Sequence, residues 1–221
     1  MREYDKIVSN NKSHNMSHLN FKQAIKSLSK DPVMAYLADQ FGHEITLNDR
    51  YEADHAKALA LLVIEQQVSF KAAQTIKERF LKLIHSLDHT QIMDLDHEIL
   101  RSIGISQRKV DYIKNIYHHF IEKPRDYSSK SNQCIKQSLI KIKGIGPWTI
   151  EMFLIFIMGA TDIFSKGDLA LINSIKKNYE MDSLNDQYLD HLIQSWRPYN
   201  TVASLLLWCS VEQKIFYPER P

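Results

Sequence analysis

Asp168 lies beyond an apolar stretch that follows the turn Lys143-Gly144-Ile145-Gly146-Pro147-Trp148-Thr149. Gly144 and Gly146 frame a tight turn at the start of a helix, where bare backbone N–H groups can hold a phosphate. Lys141 and Lys143 flank it and strengthen the attraction for a nucleic-acid backbone without reading sequence. A fixed carboxylate downstream can stabilise positive charge developing on a sugar and can orient or deprotonate an attacking water. Together the turn and Asp168 point to DNA chemistry. Each also has a plainer role: glycine ending one helix with Pro147 starting the next, and Asp168 capping a helix, a contribution of about 1 kcal/mol.

Other residue types extend the candidate site. Gln66 and Gln67 precede Ser69, a helix cap, where an inter-helix loop can meet the minor groove and push a side chain into the duplex. Trp148 and Trp208 are candidates to wall a base pocket, with Met152 one turn beyond Trp148. They serve equally as core residues on sequence alone. Ser106, Arg108 and Lys109 open a helix and are candidates to border the DNA backbone, as is Lys114. Lys71, Lys77, Arg79 and Lys82 read as a solvated face.

The elements that must position these residues are helical throughout. Asp31-Pro32 supplies a cap and a first-turn proline for a helix ending at Gly42. Residues 52–66 carry apolar positions at 56, 59, 60, 63 and 64, and Ser69 caps a second helix through Ala72, Ala73, Ile76, Phe80 and Leu83. Short pieces follow near 90–103. Ser106 then opens a helix with Val110, Ile113, Ile116, Tyr117 and Phe120 on one side, stopped by Pro124. Further helices are expected over 135–142, 147–159, 168–177, 185–195 and 198–211. Alternation suggestive of a strand is confined to 43–47.

The expected fold class is therefore all-α, as two interwoven helical lobes with a helix-hairpin-helix motif and a cleft between them. One lobe is expected over about 68–160 and the other over 18–67 plus 161–221, with residues 1–17 a polar, loose tail. The chain of 221 residues is 44% hydrophobic and 24% charged, enough for one core or two small helical lobes. Its net charge of +2 is too small to announce a nucleic-acid partner, so charge distribution must decide. Cys134 and Cys209 are the two cysteines, which excludes a disulfide framework, a four-cysteine metal site or an iron–sulfur cluster within one chain. The apolar runs at 153–158 and 205–208 fall short of the ~20 residues of a membrane span, and the polar start lacks a secretory core. No membrane partner is expected, and a reducing cytoplasm is the expected setting: nucleoid-associated in a bacterium, nuclear in a eukaryote.

The chain resembles the helix-hairpin-helix DNA glycosylases, in their 3-methyladenine glycosylase II branch, over roughly residues 28–210. Val63-Ile64-Glu65-Gln66-Gln67-Val68-Ser69 is similar to the family's Gln-Gln-x-Ser block, and Gly104-Ile105-Ser106-Gln107-Arg108-Lys109 to its Gly-x-Ser-x-x-Lys block. Asp162-Ile163-Phe164-Ser165-Lys166-Gly167-Asp168 resembles the segment bearing the catalytic aspartate, and Trp196-Arg197-Pro198-Tyr199 leads to a closing helix through Trp208. The order of these blocks matches as well as their composition.

The resemblance implies that Asp168 is catalytic, that Trp148, Met152, Trp208 and Gln66 line the base pocket, and that Gln67 is the DNA plug, where some relatives use leucine. It implies backbone binding by Gly144, Ile145, Gly146, Thr149, Lys143, Ser106, Arg108 and Lys109. It also implies an alkali cation, K⁺ or Na⁺, at hairpin carbonyls near Ile142 and Ile145, with no other cofactor required. Tryptophan at 148 replaces the lysine that makes some relatives strand-cleaving lyases. The expected activity is thus monofunctional excision of an alkylated purine from double-stranded DNA by a monomer, leaving an abasic site. Alternatives are a glycosylase for oxidised, deaminated or mismatched purines, and a catalytically silent DNA-binding protein. The chain departs from the family at Met152, where some relatives carry an aromatic, and at Asn200, where a second arginine usually follows. It also lacks the length for an extra N-terminal β-domain.

Overall fold

Twelve helices make up the described part of the computed structural model, which covers residues 20–47, 51–122 and 126–218. The tail expected over 1–17 and the helix stop expected at Pro124 lie outside the described residues. In chain order the helices are α1 (Phe21–Leu28), α2 (Pro32–Phe41), α3 (His55–Glu65), α4 (Phe70–Ile84), α5 (His89–Asp94), α6 (His97–Ser102) and α7 (Gln107–Glu122). They continue as α8 (Asn132–Leu139), α9 (Pro147–Phe156), α10 (Leu169–Asn178), α11 (Asp186–Ser195) and α12 (Asn200–Gln213). No strand occurs among the described residues: past Gly42 the chain folds back on α2, with the Glu44 and Ile45 N–H groups both bonded to the Phe41 carbonyl. That local closure takes the donors a strand at 43–47 would have needed.

Most helix starts are set by short polar side chains. Asn20, Asp31, Asp54, Ser69, Asp88, Asp96, Ser131, Asp168 and Asn185 each accept from N–H groups of the following turn. Gly146 offers α9 no such side chain. Two helices are apolar nearly all round and are buried accordingly. In α9 everything from Thr149 to Phe156 except Glu151 is buried, and α12 buries Asn200 to Leu207 without a break.

These two helices centre the two halves of the molecule. The first half packs α3 against α4, α7 and α9, with α5 and α6 on α7 and α8 beside α9. The second packs α12 against α10, α2 and α1. Helix α3, expected with the chain ends, instead sits at the heart of the first half, because Leu59, Ala60, Val63 and Ile64 are all buried there. Thr201 stitches the halves: its hydroxyl donates to the Ala160 carbonyl at 2.6 Å and accepts the Ile163 N–H at 3.2 Å. Buried apolar side chains from both halves form one continuous core.

Candidate active site

The segment between α9 and α10 returns the chain to the start of α10 with Asp168 as its N-cap. Ser165, fully buried, donates to Glu151 Oε2 at 2.6 Å, and its carbonyl accepts the Asp168 N–H at 3.1 Å. Asp168 Oδ1 accepts from the N–H groups of Ala170 at 2.9 Å and Leu171 at 3.0 Å. The capping role and the proposed chemistry therefore share one carboxylate, which lies at the positive end of α10.

Two indoles converge on the same group. Trp148 Nε1 donates to Asp168 Oδ2 at 2.9 Å, and Trp208 Nε1 lies 3.4 Å from Oδ1. Trp208 stacks on Phe156, with ring centroids 5.8 Å apart. The hairpin (Trp148), the closing helix (Trp208) and Asp168 thus meet, although they are distant in sequence. Met152 lies in the core at 2% exposure. Exposed Leu169 directly follows Asp168, an apolar surface residue that the sequence argument missed.

The hairpin between α8 and α9 is held from inside. Ile142 and Ile145 are buried, and the Ile145 N–H donates to the Ile142 carbonyl at 3.0 Å. Gly144 has φ +101°, and a Cβ there would lie 2.1 Å from the Tyr112 ring, so only glycine fits. Gly146 differs: its φ is −99°, and a Cβ would meet no protein atom within 4 Å. From α7, Asn115 donates to the Lys143 carbonyl at 3.1 Å. Tyr112 and Asn115 were not found by sequence reasoning; their signal is their spacing of three, on the face of α7 beside its apolar stripe.

Four residues expected at the DNA backbone have side chains engaged elsewhere. Thr149 is buried, and its hydroxyl accepts from Gln66 Nε2 at 2.7 Å, so the side chain faces inward. The Ile145 side chain is likewise in the core, leaving only its backbone to the turn. Lys109 Nζ donates to the carbonyls of Ile64 at 2.8 Å and Gln66 at 2.5 Å, closing the end of α3. Burial lowers its pKa from the ordinary lysine value. Lys114 is used the same way, on the carbonyls of Met93 at 2.6 Å and Leu95 at 2.5 Å. Orphan carbonyls at helix ends attract such cations.

Lys143, Ser106 and Arg108 remain exposed, with Arg108 Nε on the Tyr112 hydroxyl at 2.5 Å. Gln67 is exposed at the tip of its loop with φ 54°, a left-handed conformation rare for a non-glycine residue. Phe70, three residues on, is 74% exposed. Asn200 is 2% exposed and donates to Asp162 Oδ1 at 2.6 Å, while Arg197 Nε donates to Asp162 Oδ2 at 2.8 Å. Asn200 is thus a buried neutral donor at the start of α12, and Arg197 supplies the cation beside Asp162.

Comparison with known proteins identifies the family. The model of the HhH-GPD superfamily of base excision DNA repair proteins matches residues 60–198, from within α3 to the segment before α12. The chain belongs to that superfamily. It is 32% identical to a putative DNA-3-methyladenine glycosylase of Bacillus subtilis over 68% of its own length and 56% of that protein's. It is 31% identical to DNA-3-methyladenine glycosylase 1 of Schizosaccharomyces pombe, over 66% of this chain and 68% of the relative. Among solved structures, the Schizosaccharomyces pombe 3-methyladenine DNA glycosylase Mag1 in complex with abasic DNA superposes with a TM-score of 0.77 at 28% identity. That superposition covers 86% of this chain and 97% of the other.

Proposed function

We propose that this protein is a monofunctional DNA glycosylase that extrudes an alkylated purine from duplex DNA and hydrolyses its N-glycosidic bond. The observation that carries this reading is the Asp168 carboxylate, fixed by two α10 amides and approached by two indole N–H groups. The names of its relatives, 3-methyladenine glycosylases, support the substrate class.

In the reaction, Gln67 enters the stack and occupies the gap left by the extruded nucleotide. Purines alkylated at N3 or N7 carry positive charge, so indole faces beside the carboxylate hold them by about 0.5–2 kcal/mol more than neutral bases. The bond electrons leave with the base, which becomes neutral and needs little acid assistance. Positive charge passes to the sugar, and Asp168 stabilises it. Oδ2 accepts from Trp148 alone among the described residues, whereas Oδ1 is taken by α10, so Oδ2 is the oxygen that faces the sugar and the incoming water. Water adds to the anomeric carbon and passes its proton to Asp168 Oδ2, leaving an abasic strand. No lysine stands where Trp148 does, so no amine attacks the sugar.

The hairpin holds the phosphate through the first-turn N–H groups of α9, which no side chain caps, with Lys143 alongside. Exposed Phe70 and Leu169 meet the DNA beside the plug and the carboxylate. An alkali cation fits the turn: a carbonyl oxygen has two lone pairs, and Ile142 uses one on the Ile145 N–H. The Ile142 and Ile145 carbonyls would hold it, and it would add positive charge for the phosphate. The protein acts as a monomer.

The deciding experiment presents duplexes containing 7-methylguanine, hypoxanthine, 1,N6-ethenoadenine or 8-oxoguanine to the protein and to its Asp168→Asn variant. Release of 7-methylguanine by the parent alone is expected. Release of 8-oxoguanine in preference, or full excision by Asp168→Asn, would overturn the proposal.

A further inference from the structure

We infer that Lys109 is a positioning residue for nucleotide extrusion, fixing the loop that carries Gln67, and that it is not a phosphate ligand. The inference rests on the proposed role of Gln67 as plug and deepens it. Three contacts define the loop. The Lys109 ammonium bridges the Ile64 and Gln66 carbonyls at the end of α3. The Gln66 side chain reaches the other way, to Thr149 in the first turn of α9. Between these restraints and the Ser69 cap of α4, Gln67 is held at φ 54° with its side chain exposed.

The physical argument turns on strain and coupling. A non-glycine residue in the left-handed region costs about 1–2 kcal/mol, and it persists where neighbours over-determine the backbone. Lys109 provides that determination. Its ammonium is partly buried against two carbonyls, with no carboxylate among the described residues in hydrogen-bond contact, so it serves the backbone on which Gln67 turns. Because Gln66 is also bonded to Thr149, the plug sits at a set distance from the hairpin that holds the phosphate. A wedge gains from such rigidity: extrusion costs a few kcal/mol of unstacking, and a loosely held side chain recovers less of it.

The test compares Lys109→Met and Lys109→Gln with Lys143→Met, whose lysine is proposed to touch phosphate. In duplex binding across a salt series, Lys143→Met should lower the slope of log affinity against log salt by about one, and Lys109→Met should leave it unchanged. In single-turnover release of 7-methylguanine, Lys109→Met should lose about tenfold or more when the base faces cytosine, and less than about threefold when it faces an abasic analogue, where extrusion is already easy. Lys109→Gln, which keeps one donor, should fall between; if Lys109→Met fails to fold, it carries both comparisons. A slope reduced as in Lys143→Met, equal losses on the two substrates, or no loss would each overturn the inference.

Fluorescence of a 2-aminopurine beside the target separates this inference from the proposed function. A parent protein that releases no 7-methylguanine sinks the substrate assignment. Lys109 keeps its role if the parent still raises the fluorescence while Lys109→Met and Gln67→Ala do not. It loses that role if Gln67→Ala extrudes as well as the parent, or if the parent raises no signal.

Discussion

Trp148 donates its indole N–H to Asp168 Oδ2 at 2.9 Å, while the other oxygen of the same carboxylate caps α10. The hairpin proposed to grip phosphate and the carboxylate proposed to meet the sugar are therefore joined through the Trp148 hydrogen bond. Replacing Trp148 with phenylalanine keeps a ring and removes that bond. A hydrogen bond to a charged group contributes about 1.5–3 kcal/mol, so single-turnover excision should fall by roughly ten- to a hundredfold. Affinity for undamaged duplex should hold, because the phosphate contacts are untouched. Quench-flow release of 7-methylguanine together with duplex titration checks both; an unchanged rate would detach Trp148 from the carboxylate's function.

The two hairpin glycines should separate stability from DNA binding. Gly144→Ala forces a Cβ to 2.1 Å from the Tyr112 ring at φ +101°, and should cost about 2–4 kcal/mol of stability. Gly146→Ala meets no protein atom and has an ordinary φ, so its stability should change by less than about 1 kcal/mol. Its added methyl stands at the uncapped start of α9, and duplex affinity should drop. Thermal unfolding and duplex titration of both variants decide the matter: a stable Gly146→Ala that binds normally would place the phosphate elsewhere.

How much of this was legible in the sequence depends on whether a residue acts through local or distant partners. The caps at Asp31, Ser69 and Asp168 are local, and a short polar side chain before an apolar period is enough to find them. Asp168 could be read as cap or catalyst, and the structure makes it the cap with two indoles on it. The partners of the Lys109 and Thr149 side chains were hidden for the opposite reason. A lysine three residues past a helix-opening serine looks solvent-facing until the end of α3, more than forty residues earlier, is seen to run against it. The lobe boundary was misplaced likewise: α3 is apolar enough to fit either half, and only its packing on α7 and α9 assigns it. Asn200 was visible as a departure, but its burial against Asp162 was not.

Asp31 ties the start of α2 to the ends of α10 and α11 and should matter for stability alone. Its Oδ1 caps α2 through the N–H groups of Val33 and Met34, and its Oδ2 accepts from the Tyr179 hydroxyl at 2.5 Å and from Trp196 Nε1 at 3.3 Å. Asp31→Ala removes a cap worth about 1 kcal/mol and leaves two partly buried donors unpaired at about 1–3 kcal/mol each, so a loss of about 3–7 kcal/mol is expected. Urea denaturation measures it. The excision rate of the fraction that remains folded should match the parent; a rate defect in that fraction would tie Asp31 to the chemistry.

The fold should weaken in alkali for a reason visible in its buried acids. Burial first, and then Asp54 and Glu52, hold the Tyr117 phenol above its ordinary value of 10.0, while burial and Asp31 do the same for Tyr179. Burial likewise pushes the Cys209 thiol up to about 11, with Glu212 and Glu44 adding to it. All three keep their protons in the fold after the unfolded chain has lost its own. Above those ordinary values the unfolded state binds fewer protons, so stability falls as pH rises: first through Cys209 near about pH 9, then through the tyrosines from about pH 10, each approaching ~1.4 kcal/mol per pH unit. The Tyr117 hydroxyl is buried and has no hydrogen-bond partner among the described residues. Tyr117→Phe should therefore be neutral or stabilising by about 1 kcal/mol at neutral pH and should remove one proton from the alkaline slope. Urea melts from about pH 7 to 11 test this; a clear loss of stability in Tyr117→Phe at neutral pH would mean that the hydroxyl has a partner.

Tryptophan at 148 makes the absence of a covalent intermediate a sharp expectation. Lys141 and Lys143 are the nearest amines along the hairpin, and both are exposed, on the turn proposed to hold phosphate. Attack on the sugar by either would form an imine that borohydride reduces to a stable protein–DNA adduct, and β-elimination would then cut the strand. Incubation of the protein with 7-methylguanine duplex and borohydride should give no adduct. The product strand should remain intact until it is treated with alkali, which cleaves at the abasic site left by hydrolysis. An adduct lost on Lys143→Met would show that the hairpin lysine, and not water on Asp168, attacks the sugar.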